Sequence, residues 1–312
     1  MTLSYILGGG ISSDPGVGTE LCERYPAMRR SYEDIAGWTG LSVEDLLGTG
    51  DAEVLPQVQQ AALQFGTYDV LAGLGVYPDV IGGVSLGGLV SASLAGAVTR
   101  QELFDYLQSF VDAPGLGADA EPEAVAFAMV PEGLPREMYH GPQHEGVYVA
   151  GEFGRSADGM LTVLMLSGLR SALETVRDQV PENTLILLDG DRAVHSPLRA
   201  PVSEYLEDKL AAMSFTDPKL PLCSWLTQGT LTSAEQVRDE FRRNLTSTVS
   251  LADVCAEMKQ TYKTRLGLVL GSTLAEGFLD FTFPVAHLTT EAHVVAATTR
   301  IFEMGIELPT AH

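Results

Sequence analysis

The sequence predicts an α/β fold in which a parallel sheet carries a nucleophile elbow and a compact α+β unit is inserted partway along the chain. Three observations point there. The stretch Tyr77 to Leu94, YPDVIGGVSLGGLVSASL, reads as a short apolar strand, a G-x-S-x-G turn and a small-residue helix. Strand and helix patterns alternate from end to end, with four strands and one helix grouped between residues 124 and 188. At 312 residues with 45% apolar content, the chain can bury a large core and exceeds the usual single-core size.

The first strand is Leu3 to Leu7, closed by Gly8-Gly9-Gly10. That triplet lacks the G-x-G-x-x-G spacing of a dinucleotide site and reads as a tight turn that brings backbone N–H groups near the elbow. Helical patterns cover Gly18 to Arg30 and Arg30 to Thr39, and Ser42-Val43-Glu44-Asp45 has the form of a capping box. Val58 to Leu74 is a longer amphipathic helix ended by Gly75. Pro78 and Asp79 lead into Val80-Ile81, the elbow strand. In Gly83-Val84-Ser85-Leu86-Gly87 the glycines flank a Ser on a strained turn, and the following helix aims its free N–H groups at the Ser oxygen.

A helix with Leu103, Phe104, Leu107 and Phe110 facing inward covers Thr99 to Val111, and a Gly/Pro/acid-rich break covers Asp112 to Glu123. Strands at Ala124–Val130, Gly146–Gly151, Gly159–Leu166 and Thr184–Leu188, with a helix at Leu169–Gln179, make the inserted unit. His195 follows directly. Beyond it come a helix from Val202 to Met213, a strand from Pro221 to Leu226, helices at Ser233–Arg243 and Leu251–Tyr262, a last strand at Leu266–Leu270, and a C-terminal helix from His287 to Phe302.

Composition narrows the function. The net charge is −22, with 41 acidic against 19 basic residues, which argues against nucleic acid and anionic membranes as partners. No apolar run reaches the roughly 18–20 residues of a membrane span, and the N-terminus lacks a basic leader region. Cys22, Cys223 and Cys255 are widely spaced and fit neither a disulfide framework nor a zinc pattern, so the expectation is a reduced, cytoplasmic protein. His140, His144, His287, His293 and His312 show no ligand spacing, and no metal is expected.

Taken together these stretches resemble the acyltransferases that load acyl carrier proteins in fatty-acid and polyketide synthesis, over nearly the whole chain. The family's F-P-G-Q-G after the first strand corresponds to Ile6-Leu7-Gly8-Gly9-Gly10. Its Gln on the helix before the elbow falls at Gln57. Its G-H-S-L-G-E elbow corresponds to Gly83-Val84-Ser85-Leu86-Gly87-Gly88, and its A-F-H-S-P to Ala193-Val194-His195-Ser196-Pro197. A late Gln-Leu pair looks like Asn244-Leu245, and the final E-V-G-P-G has become Val269-Leu270-Gly271-Ser272-Thr273. The resemblance implies a large α/β-hydrolase-like subdomain, residues 1–120 and 192–312, with a ferredoxin-like subdomain at 121–191.

What it implies for chemistry is a Ser–His dyad, Ser85 and His195, working by ping-pong acyl transfer. The oxyanion would be held by the backbone N–H groups of Leu86 and Gly9, and Asn244 would orient His195 through a carbonyl oxygen. Gln57, Val84, Phe110 and Val194 would line the acyl pocket. Malonyl-type members hold the substrate carboxylate with an Arg on the helix after the elbow, and ungapped register puts Phe110 there. Together with Val84, Gly88 and Val194, this removes polar or bulky groups from the pocket, so a non-carboxylated acyl group is expected, bulky and aminoacyl groups included. No bound cofactor is implied, because the substrates carry their own phosphopantetheine on CoA or carrier protein. The partner implied is an acidic acyl carrier protein, with Arg155, Arg192 and Arg199 as its docking cations, and the protein is expected to be a monomer. The expected function is a discrete acyltransferase in polyketide or fatty-acid biosynthesis. Alternatives in order are an acyl-carrier-protein thioester hydrolase and a malonyl transacylase; an esterase with His287 or His293 as base and a non-catalytic docking module complete the set.

Overall fold

Leu3, Tyr5, Ile6 and Leu7 have no exposed surface, so the first strand, β1 (Thr2–Leu7), has to lie inside a sheet covered on both faces. The computed structural model describes residues 2–10, 14–115, 117, 120–188, 190, 192–271 and 273–309. Ser272, His312, Asp191 at the expected subdomain boundary, and Leu116, Ala118 and Asp119 of the Gly/Pro/acid-rich break lie outside the described residues.

Helices α1 (Thr19–Arg24), α2 (Pro26–Thr39), α3 (Val43–Leu46) and α4 (Pro56–Gly73) separate β1 from β2 (Val80–Gly83). The elbow helix α5 (Leu86–Leu94) and α6 (Arg100–Gln108) follow. Then come β3 (Glu123–Pro131), β4 (Val147–Ser156), β5 (Leu161–Leu169), α7 (Arg170–Arg177) and β6 (Leu185–Leu187). The remainder is α8 (Ala200–Ala212), β7 (Leu222–Cys223), β8 (Thr230–Leu231), α9 (Ala234–Arg243), β9 (Val249–Ser250), α10 (Leu251–Gln260), β10 (Thr264–Leu270), β11 (Leu279–Asp280), β12 (Val285–Leu288) and α11 (Glu291–Glu303).

Among the described residues the strands form two sheets. The first has the order β12-β10-β1-β2-β7-β8, parallel throughout except for the β7–β8 hairpin. The second has the order β11-β4-β5-β3-β6 and is antiparallel along that path. Its four main strands follow the 4-1-3-2 order of a ferredoxin-like sheet, with the short turn Arg136–Met138 where that fold carries its first helix. This sheet is not confined to residues 121–191, because β9 and β11 both pair with β4 from outside that range. Two apolar cores match the two sheets, the smaller built on Ala124, Leu164, Leu166, Leu173 and Val176.

Several expected boundaries shift for local reasons. Pro26 starts a new helix, so the break falls at Tyr25 rather than at Arg30. The helix expected to reach Val111 ends at Gln108 and tightens into a 3-10 turn, Ser109–Asp112, where Ser109 Oγ donates to the Tyr106 carbonyl at 2.6 Å. Leu266–Leu270 is not the last strand. Val285–Leu288 pairs with Gly267–Leu270, which puts His287 in a strand, and Thr290 caps a helix that starts only at Glu291.

Candidate active site

The elbow is built by close backbone approach. Ser85 has φ 57° and ψ −120°, a conformation that side chains avoid, between β2 and the first turn of α5. Val84 N–H donates to Leu7 O at 3.0 Å, tying the turn to β1. A Cβ at Gly83 or Gly87 would collide with backbone atoms of Gly87 or Leu7, so neither position accepts another residue without movement. The turn therefore holds Ser85 Oγ off the sheet at the helix N-terminus.

His195 Nε2 lies 2.8 Å from Ser85 Oγ across 110 residues of sequence. Its Nδ1 is 2.5 Å from the main-chain carbonyl oxygen of Asn244. A carbonyl can only accept, so Nδ1 carries the proton and Nε2 presents its lone pair to the Ser85 hydroxyl. The ring is buried, and burial lowers its pKa from 6.5 to about 4, against the raising effect of the Asn244 carbonyl. The imidazole is thus a neutral base at ordinary pH. His195, like Ser85, has positive φ (54°), so both members of the pair sit on strained backbone.

Asn244 is itself anchored. Its Oδ1 accepts from the indole Nε1 of fully buried Trp225 at 3.1 Å, and Trp225 N–H donates to Glu240 Oε2 at 3.2 Å. Burial raises the pKa of Glu240, while the hydroxyl of Ser224, 2.6 Å from Oε1, favours the carboxylate. Glu123 performs a second tethering: it accepts from Ala193 N–H at 2.7 Å and pairs with Arg199, fastening β3 to the loop on either side of His195.

Ser85 and His195 face one cavity of ≈ 260 Å³ with largely apolar walls. Gln57, Val84, Phe110 and Val194 all line it, as do Gly9, Leu86 and Asn244. A Cβ on Gly9 would stand 3.9 Å from that of Ser85, so this backbone passes in van der Waals reach of the hydroxyl. The Leu86 N–H belongs to the opening turn of α5, where no intrahelical acceptor exists. A hydroxyl, an imidazole placed to take its proton and two candidate main-chain donors are thus gathered at one apolar hollow, an arrangement suited to forming and breaking an acyl ester.

Not every expected site residue is in place. Arg199 is 6% exposed and ion-paired with Glu123, so it is no docking cation; a guanidinium removed from water needs that carboxylate beside it. Arg155 is exposed, 3.2 Å from Glu132, and lines a different cavity. Arg192 alone of the three is both exposed and at the Ser85 cavity. Gly88 does not widen the acyl pocket, because the Trp225 ring occupies the space its side chain would need. His287 stacks edge-on to Phe281 and His293 contacts Thr289, so neither takes the place of His195. Sequence reading missed Trp225 as the Asn244 anchor and Phe127, Phe153 and Met165 of the second sheet as cavity walls. Phe127 and Met165 fall within the expected strands Ala124–Val130 and Gly159–Leu166, and Phe153 lies two residues beyond the expected end of Gly146–Gly151, but nothing local says that a second sheet roofs the elbow. Among the described residues no cluster of three His, Cys, Asp or Glu could hold a metal, and no helix is long and apolar enough to cross a membrane.

Residues 58–256 match the family model described as patatin-like phospholipase. A naringenin synthase of Pestalotiopsis fici is 26% identical over 286 residues, 84% of this chain but 10% of that protein. The malonyl CoA-acyl carrier protein transacylase of Bacillus subtilis is 25% identical over 262 residues, covering 79% of this chain and 80% of the relative. The crystal structure of the Synechocystis malonyl-CoA:ACP transacylase superposes with a TM-score of 0.80 at 16% identity, over 95% of this chain and 100% of the other. A malonyl-transacylase solved in complex with a type II polyketide acyl-carrier protein gives 0.81 at 17% identity, over 96% and 100%. At these identities the structural matches establish the fold.

Proposed function

The chain belongs to the patatin-like phospholipase family and is homologous to acyl-carrier-protein transacylases and polyketide synthase acyltransferases; on that premise we propose that it is an acyltransferase that moves a non-carboxylated acyl group to or between acyl carrier proteins. The observation that carries the reading is the Ser85 Oγ to His195 Nε2 contact of 2.8 Å at the wall of an apolar cavity. In the first half-reaction Ser85 Oγ attacks the thioester carbonyl as His195 Nε2 takes its proton. The oxyanion accepts from the N–H groups of Leu86 and Gly9. The C–S bond then breaks, and the leaving thiolate takes the proton from His195. In the second half-reaction a phosphopantetheine thiol gives its proton to His195, attacks the Ser85 ester, and Ser85 leaves as the hydroxyl. General-base assistance of this kind contributes about 10²–10⁴-fold.

The relatives support carrier-protein thioesters as substrates, since one is a transacylase acting on acyl carrier protein and a structural neighbour holds its carrier protein. The apolar walls and Phe110 support an uncharged acyl group. Arg199, the buried cation of the cavity, already carries Glu123. Residues 121–191, with β9 and β11 joined to their sheet, would roof a catalytic subdomain formed by the rest of the chain. Intact-mass measurement after exposure to acyl-CoA and acyl-carrier-protein donors tests this. An acyl adduct on the unmodified protein, absent from Ser85→Ala and slowed by orders of magnitude in His195→Ala but not in His287→Ala, is the expected result. Adduct transfer to a holo-carrier protein distinguishes the transferase from the hydrolase, which would release free acid.

A further inference from the structure

Phe153 is the residue, among those described, that lines both the Ser85 cavity and a second cavity of ≈ 290 Å³. The second cavity lies between β4, α10 and β11, with Leu251, Cys255, Ala256, Leu279 and Phe281 in its walls and Arg155 and Lys259 among its polar residues. Burial pushes the Cys255 thiol up to about 12, so it serves as apolar wall and not as a nucleophile. The position of the ring is built into β4. Register irregularities fall between Val149 and Gly151 and again between Glu152 and Gly154, and such bulges re-aim the side chain between them. A Cβ at Gly151 would come within 2.9 Å of the Phe153 ring, so the glycine is what lets the ring fold back over its own strand. The ring of Phe127, another wall of the Ser85 cavity, meets it edge-on at 5.7 Å.

We propose that Phe153 is the specificity-determining partition of the acyl pocket: its ring closes the Ser85 cavity at a short acyl length, and the cavity behind it takes the distal methylenes of a longer chain once the ring is withdrawn. This rests on the acyltransferase reading. Each methylene transferred from water into apolar walls favours binding by roughly fourfold, so opening the partition has to change the chain-length profile steeply. The partition belongs to the second sheet and is no part of the Ser85–His195 pair or of its Asn244 tether, so its effect is read as a ratio between long and short donors.

The test measures acylation rates by intact mass with acetyl-, butanoyl-, octanoyl- and dodecanoyl-CoA. The proteins are the unmodified chain, Phe153→Ala, the gentler Phe153→Leu, and Phe153→Ala combined with Ala256→Phe. The dodecanoyl-to-butanoyl ratio is expected to rise about tenfold or more in Phe153→Ala and less in Phe153→Leu. Filling the second cavity with Ala256→Phe should return it toward the starting value. An unchanged ratio in both single variants overturns the partition, as does a ratio that Ala256→Phe fails to reverse. Should Phe153→Ala not fold, the Phe153→Leu ratio decides alone. If no donor acylates the unmodified protein, the functional reading itself has failed, a result distinct from short-chain acylation without a length effect.

Discussion

Trp225 packs its indole onto Gly88 so closely that a Cβ at position 88 would overlap ring carbons, and the same indole holds Asn244 through a 3.1 Å hydrogen bond. The main-chain oxygen of Asn244 fixes the His195 tautomer, so a chain of contacts links a glycine one turn beyond Ser85 to the His195 imidazole. Gly88→Ala is expected to destabilise the fold by about 1–3 kcal/mol, the usual cost of overpacking a core, and to slow acylation. Trp225→Phe keeps the ring but loses the donor. It should lower the acylation rate about tenfold with a much smaller shift in thermal midpoint, in line with the loss of one buried hydrogen bond. A Trp225→Phe protein with the unmodified rate would show that Asn244 needs no anchor.

The buried imidazole sets a pH signature. With its pKa lowered from 6.5 to about 4, His195 stays unprotonated in the folded protein where a free imidazole would be charged. Acylation should therefore hold nearly constant down to about pH 5 and fall with a midpoint near 4. The same shift couples to stability. The unfolded chain binds the proton more readily, so the contribution is fully present above the unfolded pKa and is lost as pH falls from about 6.5 toward 4. Rate–pH profiles and thermal midpoints across pH 4–8 check both; a rate midpoint near 6.5 would contradict the buried neutral base.

The three arginines separate by environment. Arg192→Glu should weaken transfer to a carrier protein and flatten its salt dependence while sparing hydrolysis of a small thioester, because exposed charges act mainly on encounter. Arg155→Glu should do little to either reaction. Arg199→Leu leaves Glu123 buried without its cation, and a loss on the order of 3–5 kcal/mol in unfolding free energy is expected. Equal loss on both substrates from Arg192→Glu would assign that residue to the pocket instead.

Phe110, edge-on to Tyr106 at 5.5 Å, offers the acyl group a ring and no hydrogen bond. A malonyl carboxylate buried beside it would gain no hydrogen bond from that ring, so malonyl-CoA should acylate Ser85 about a hundredfold more slowly than acetyl-CoA, or about 2.7 kcal/mol in the barrier. Phe110→Arg should recover part of the malonyl rate. Efficient malonyl loading of the unmodified protein, measured in direct competition, would exclude this account of specificity.

The elbow was legible because its determinants are local. A strand of β-branched residues, glycines where backbones touch, and a small-residue helix all lie within the eighteen residues from Tyr77 to Leu94. The same holds for the Ser42 capping box, set by residues three apart. His195 could be singled out from its Ala193–Pro197 context, but its distance to Ser85 follows only from how the chain closes the sheet. Packing across the fold decided the rest. Arg199 is buried because β3 brings Glu123 to it from 76 residues away, and Gly88 serves Trp225 because β7 lies beside β2. Phe153 divides two cavities because bulges in β4 turn it there. Hydrophobic period and turn chemistry specify which elements form. Which side chains meet between them depends on contacts whose partners are far apart in the chain, and no local pattern encodes those.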